Sequence, residues 1–138
     1  PNALIFEAVH KPVALRDPLR NRMSSPQDLR GRRVAVLSGI GDPHSFEKTV
    51  ELLGAEVVFA ARYEDHHLFK ESEALSFVRK ARKMGLTEAV TTDKDYIRLE
   101  GMLSKNPHEE LRAFTFWSLE IQFQVNDEED FIRRFLNT

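Results

Sequence analysis

Cysteine is absent from the sequence, which excludes disulfides and thiolate metal sites and leaves the redox compartment open. Long hydrophobic runs are absent too. No apolar stretch approaches the ~20 residues needed to span a bilayer, and nothing resembles a signal peptide. No charge sign dominates: 20 Lys and Arg stand against 22 Asp and Glu, so no one-signed field argues for nucleic acid as a partner. There are six glycines, and none begins a Gly-x-x-x-x-Gly-Lys-Ser/Thr loop, so this chain by itself is not expected to bind a nucleoside triphosphate in the P-loop manner. An initiator methionine is lacking as well. Pro1 leads almost at once into the apolar run Ala3-Leu4-Ile5-Phe6, the pattern of a fragment or a truncated reading frame.

The 138 residues present suffice for one domain with a core of its own. Ala3 to Val9 reads as a strand of β-prone residues. Pro12, Asp17 and Pro18 interrupt the next stretch, and the polar residues from there to Arg32 read as a connector; its arginines fit a surface linker or a phosphate or lipid contact. Val34 to Ser38 is almost continuously apolar, the mark of a strand buried on both faces of a parallel sheet. Asp42 and Pro43 then open a helix as N-cap and first residue, with Phe46, Val50 and Leu53 on one stripe and Gly54 as its stop. Ala55 to Ala61 is a second strand, Glu71 to Met84 a second helix closed by Gly85, and Thr87 to Thr91 a third strand. Thr92 through Asp95 fits the capping box of a further helix running to about Ser104. His108 to Leu111 adds a turn, Ala113 to Val125 is a long aromatic strand, and Asn126 or Asp127 caps a last helix carrying Phe131, Phe135 and Leu136. Strand and helix alternating at short intervals predict a layered α/β domain with a mostly parallel sheet flanked by helices.

Three βα junctions end in small or polar residues: Gly39-Ile40-Gly41-Asp42, Asp65-His66-His67, and Thr91-Thr92-Asp93-Lys94-Asp95. In open α/β sheets ligands bind at that edge, so the three are expected to line one rim with Asp65-His66 at its centre. An imidazole titrates near neutrality and serves as base, acid or relay; a surface loop with idle histidines has the same composition. Adjacent side chains rarely bond, so an acid partnering His66 is expected from elsewhere. His66 and His67 make a poor metal pair, because neighbours in an extended stretch point opposite ways and no second histidine pair at ligand spacing occurs. Gly39 and Gly41 before a helix could cradle a phosphate, but the third glycine of a dinucleotide fingerprint is replaced by His44, and an ordinary βα turn explains them equally. Lys94 facing the rim could pair with a phosphate, with Asp95 holding it. The basic run Arg79-Lys80-Ala81-Arg82-Lys83 reads as a solvated helix face or a contact for anionic head groups.

In order and spacing, Gly39-Ile40-Gly41-Asp42-Pro43, Phe46, Asp65-His66-His67 and Thr91-Thr92-Asp93-Lys94-Asp95 resemble the C-terminal half of the tetraacyldisaccharide 4'-kinases of lipid A biosynthesis. Departures are Asp93, where the family usually has glutamate, and Asp42, where it often has asparagine. The resemblance implies an enzyme that uses ATP and Mg2+ to phosphorylate the 4' hydroxyl of tetraacyldisaccharide 1-phosphate at the cytoplasmic face of a Gram-negative-type inner membrane. It implies that the P-loop and metal-binding acids belong to an N-terminal lobe not included here, and that the position matching His66 acts with an aspartate of that lobe in activating the sugar hydroxyl. Positioning and charge stabilisation are what phosphoryl transfer asks of a protein.

The resulting expectation divides the chain into residues 1–32, a strand and linker left from the preceding lobe, and residues 33–138, the C-terminal α/β lobe of a P-loop-type kinase whose P-loop lobe is absent. His66 and Asp65 are the expected catalytic positions, and Gly39, Gly41, His67, Lys94 and Asp95 the substrate- or phosphate-proximal ones, with no metal held by this chain. The expected partners are the lipid A disaccharide precursor, the inner-membrane surface and the N-terminal P-loop lobe, with no nucleic acid. The competing reading is a non-catalytic α/β module that binds a ligand or partner; a small stand-alone enzyme using His66 as base would need a closed pocket made by this chain.

Overall fold

The computed structural model describes residues 7–105 and 108–126. Among them six strands, β1 (Glu7–Asp17), β2 (Arg22–Ser24), β3 (Arg33–Ser38), β4 (Glu56–Arg62), β5 (Glu88–Thr92) and β6 (Thr115–Asn126), form one sheet in the order β2-β1-β6-β5-β3-β4. β3 runs parallel to β4 and β5, and β5 to β6, whereas β1 is antiparallel to β6 and β2. The helices are α1 (Pro43–Leu52), α2 (Glu71–Lys83), α3 (Asp93–Ser104) and the short α4 (Glu109–Ala113). The expected layered sheet, parallel in its larger part, is present.

The unbroken apolar run of β3 has a simple cause. Successive side chains of a strand face opposite ways, and each face of this sheet carries a separate core. Ala35 and Leu37 join Phe77, Val78, Leu99 and Phe116 under α2, α3 and α4, while Val34 and Val36 join Phe46, Val50, Trp117 and Leu119 under α1. Full burial of a Val or Leu contributes roughly 1.5–3 kcal/mol. The caps instead set where helices begin and end: the Asp42 carboxylate accepts from the Ser45 N–H at 3.1 Å, and Gly54 and Gly85, at φ +97° and +80°, stop α1 and α2 in a conformation that costs other residues a Cβ clash.

The stretch expected to be a connector is partly sheet. β1 continues through Pro12 to Asp17 and pairs with β6 from Glu7↔Asn126 to Arg16↔Ser118, and β2 pairs back on it through Leu15↔Ser24. Proline has no N–H for a ladder and is tolerated at bulges; here the register shifts between Pro12 and Ala14. Several arginines of this stretch are bound within the chain. Arg20 and Arg22 meet buried Asp17, Arg32 meets Glu88, and Arg16 meets Glu120. The basic face of α2 is similarly engaged, with Arg79 forked on Glu110 at 2.9 Å and Lys80 and Arg82 over the rings of Phe59 and Phe114. The final helix expected from Phe131, Phe135 and Leu136 lies outside the described residues, as does the start of the strand expected from Ala3. No helix among the described residues is long and apolar enough to cross a membrane.

Candidate functional site

From β3 the chain moves outward through α1 to β4, then crosses back through α2 to β5 on the other side of β3. α1 and α3 therefore leave adjacent strand ends for opposite faces, which opens a crevice at the switch point where α/β sheets bind ligands. A groove of about 260 Å³ occupies it, with Ile40, Phe46, Leu119 and Ile121 as apolar lining and Asp42, Ser45, Thr92, Asp93 and Lys94 as polar lining. The sequence marked Lys94 here. Leu119 and Ile121 went unmarked, because nothing in a strand's alternation tells which of its residues end beside a crevice.

The three polar junctions meet at this edge, tied together by Asp95. Its side chain is fully buried. One carboxylate oxygen accepts from the Gly39 N–H at 2.9 Å and the Thr92 hydroxyl at 2.8 Å; the other accepts from the Arg98 guanidinium at 3.2 Å. The same guanidinium reaches His66 Nδ1 at 3.0 Å. Gly39 is confined by this arrangement, since a Cβ there would lie 3.2 Å from both Asp95 Oδ1 and the Glu64 carbonyl.

This corrects three expectations. Asp95 does not hold Lys94; it faces inward, because a carboxylate in the first turn of α3 is stabilised by the helix dipole and by the Gly39 N–H. The capping box is half formed: the Thr92 hydroxyl accepts from the Asp95 N–H at 3.0 Å, but the Asp95 carboxylate is spent on side-chain and long-range donors. With its N–H already occupied, Gly39 has none to offer a phosphate. Gly41 is exposed, its Cβ position 3.8 Å from Asp65.

His66 stands at the outer end of the chain of contacts. Its φ of +64° lies in the left-handed region, which costs a side-chain-bearing residue on the order of 1 kcal/mol and is found where surroundings impose it, often at functional sites. Its side chain is 81% exposed and its Nε2 lies 3.8 Å from Asp65 Oδ2, so this chain alone builds no closed pocket around it. His67 has a different role. Its Nε2 contacts both Glu73 oxygens at 2.9 and 3.1 Å, and its ring stacks on Tyr63 at 4.7 Å and meets the edge of Phe69. His67 is thus held by Glu73 and packed on Tyr63 and Phe69. The His67 hydrogen bond, with a further one from the Lys70 N–H, holds the Glu73 carboxyl below the usual carboxylate range, and burial pushes the Tyr63 phenol up.

The residue that sequence reasoning missed is Arg98. An acid and an arginine at i and i+3 on a helix, as in Asp95 and Arg98, are neighbours, and that spacing was the available signal. Among the described residues no group of three or more His, Asp or Glu side chains is arranged to hold a metal ion.

Known proteins supply the context for this edge. Residues 2–138 match the family described as tetraacyldisaccharide-1-P 4'-kinase. The tetraacyldisaccharide 4'-kinase of Anaeromyxobacter sp. strain K is 42% identical over 107 residues, covering 78% of this chain and 28% of that protein. The enzyme of the same name from Syntrophus aciditrophicus is 40% identical over 98 residues, 71% of this chain and 26% of its own length. The crystal structure of LpxK from Aquifex aeolicus in complex with ATP superimposes at a TM-score of 0.50 with 20% identity, covering 96% of this chain and 35% of that one, which supports the fold. This chain therefore spans less than a third of the length of these curated relatives. With the family match running over nearly every residue, the chain belongs to the tetraacyldisaccharide-1-P 4'-kinase family.

Proposed function

We propose that this chain is the C-terminal lobe of a kinase that transfers the γ-phosphate of ATP to the 4' hydroxyl of tetraacyldisaccharide 1-phosphate, and that it forms one wall of a cleft completed by a P-loop lobe. The observation that carries this reading is His66: exposed, held at φ +64°, and anchored through Arg98 to a buried carboxylate. A histidine held in a costly conformation yet left open to solvent fits a surface that another lobe closes. Family membership supplies the reaction.

In this reading His66 and Asp65 face the reacting hydroxyl, while Lys94 and the exposed Gly41 backbone lie near phosphate. ATP and Mg2+ are held outside this chain. That assignment rests on the missing Gly-x-x-x-x-Gly-Lys-Ser/Thr loop. The lipid A precursor is the substrate, and the work is done at the cytoplasmic face of the inner membrane.

The test is a phosphotransfer assay on the full-length protein containing this chain, with His66→Ala beside His67→Ala. A general acid–base or relay group contributes roughly 10²–10⁴-fold, so the first variant should lose turnover on that scale while the second keeps most of it. Equal losses would overturn the assignment. The 138-residue chain alone should show no kinase activity, and micromolar ATP binding to it by calorimetry would contradict the proposed division of labour.

A further inference from the structure

We propose that Arg98 is the positioning residue of His66, fixing which ring nitrogen carries the proton and which one faces the cleft. The inventory of donors decides the tautomer. A guanidinium has five N–H donors and no acceptor, so the ring nitrogen 3.0 Å from Arg98 Nη2, His66 Nδ1, must offer its lone pair. A neutral imidazole with Nδ1 as acceptor bears its hydrogen on Nε2. Nε2 is also the nitrogen away from Arg98 and lies 3.8 Å from Asp65 Oδ2, so His66 presents its N–H on that side of the ring.

Arg98 is in turn held by the ends of the strands. Its Nη1 donates to Asp95 Oδ1 at 3.2 Å and lies 3.5 Å from the Gly39 carbonyl. Asp95 is itself fixed by the Gly39 N–H and the Thr92 hydroxyl. The His66 ring is thereby referenced to the ends of β3 and β5, the central strands of this edge, although it sits on an exposed loop. A charged fork bonded to a buried carboxylate makes a far better reference than a surface pair, which is worth about 0–1 kcal/mol.

The functional consequence rests on the kinase reading above. With Nδ1 occupied and Nε2 protonated, His66 enters the reaction as a hydrogen-bond donor, and the group it meets must present an acceptor oxygen. Donation to a carboxylate or phosphoryl oxygen fits; direct removal of the sugar hydroxyl proton by Nε2 does not, until that N–H has been given up.

Two experiments test this, and their failures are distinguishable. Nitrogen NMR of the 15N-labelled chain, at a pH where its imidazoles are neutral, should show His66 Nδ1 unprotonated and scalar-coupled across the hydrogen bond to Arg98 Nη2. His44, which is exposed, is the internal reference. In Arg98→Gln the coupling should vanish and the Nδ1 resonance should move to that of His44. A proton on Nδ1, or a His66 spectrum unchanged in the folded variant, overturns the proposal. Asp95 keeps the Gly39 N–H, the Thr92 hydroxyl and the N-terminus of α3, so Arg98→Gln is expected to fold.

In the full-length protein, Arg98→Gln should lower kcat on the order of tenfold to a hundredfold, the scale of a misplaced reacting group, with KM for both substrates unchanged. Adding His66→Ala should then cost nothing beyond His66→Ala alone. Additive losses, or a change confined to KM, refute the positioning role. No loss from His66→Ala at all would sink the kinase assignment of His66 while leaving the NMR result standing.

Discussion

The carboxylate of Asp95 accepts a hydrogen bond from the backbone N–H of Gly39 at 2.9 Å, although 56 positions separate the two residues in the chain. It ties the end of β3 to the start of α3 and gives Arg98 and His66 their fixed end.

Replacing Asp95 by alanine should therefore strand the Gly39 N–H in a buried place. An unpaired buried donor costs about 1–3 kcal/mol, so urea unfolding of Asp95→Ala should show a loss of at least that size. Asp95→Asn keeps one oxygen for Gly39 and should lose less. Equal, negligible losses would mean that the contact does not order the edge.

Gly39 and Gly41 should separate by sterics. A Cβ on Gly39 would meet Asp95 Oδ1 and the Glu64 carbonyl at 3.2 Å, and one on Gly41 would meet only Asp65 at 3.8 Å. Overpacking of a tight site costs about 1–3 kcal/mol. Thermal denaturation should thus find Gly39→Ala destabilised and Gly41→Ala near the parent.

The adjacent histidines should respond in opposite ways. His66→Gly relieves a left-handed conformation and removes an exposed ring, so stability should hold or rise by up to about 1 kcal/mol while turnover of the full-length protein falls. His67→Ala removes a ring packed on Tyr63 and Phe69 and should lower stability with turnover largely kept.

Acid should act through Glu73. Its carboxyl is held below the usual range by the His67 hydrogen bond first and the Lys70 N–H second. A group whose folded pKa is depressed stabilises the fold fully above its unfolded pKa, and that contribution is lost as pH falls through the folded value. Stability followed by denaturant midpoint should decline as pH drops below the ordinary glutamate range, and Glu73→Gln should flatten that decline. An unchanged slope in the variant would refute the link.

Much of the fold was legible because its signals are local. The apolar run at Val34 to Leu37, the Asp42 and Thr92 caps and the glycines at 54 and 85 each act within a few residues, through burial on two faces, orphan N–H groups and a left-handed turn. The stretch from Pro12 to Arg32 reads as a connector because Pro12, Asp17 and Pro18 look like breakers. Pairing with β6, more than a hundred positions away, supplies the hydrogen bonds that overrule them.

By itself the sequence determined the α/β alternation, the three polar junctions at one edge and a family resemblance that the match over residues 2–138 upholds. Only tertiary structure decided what those junctions do. It turned Asp95 inward, sent His67 to Glu73, and brought Arg98 to His66 across 32 positions. The reason is physical: periodicity and capping depend on neighbours along the chain, whereas the partner of a buried carboxylate or an exposed imidazole is chosen by the order in which strands join the sheet.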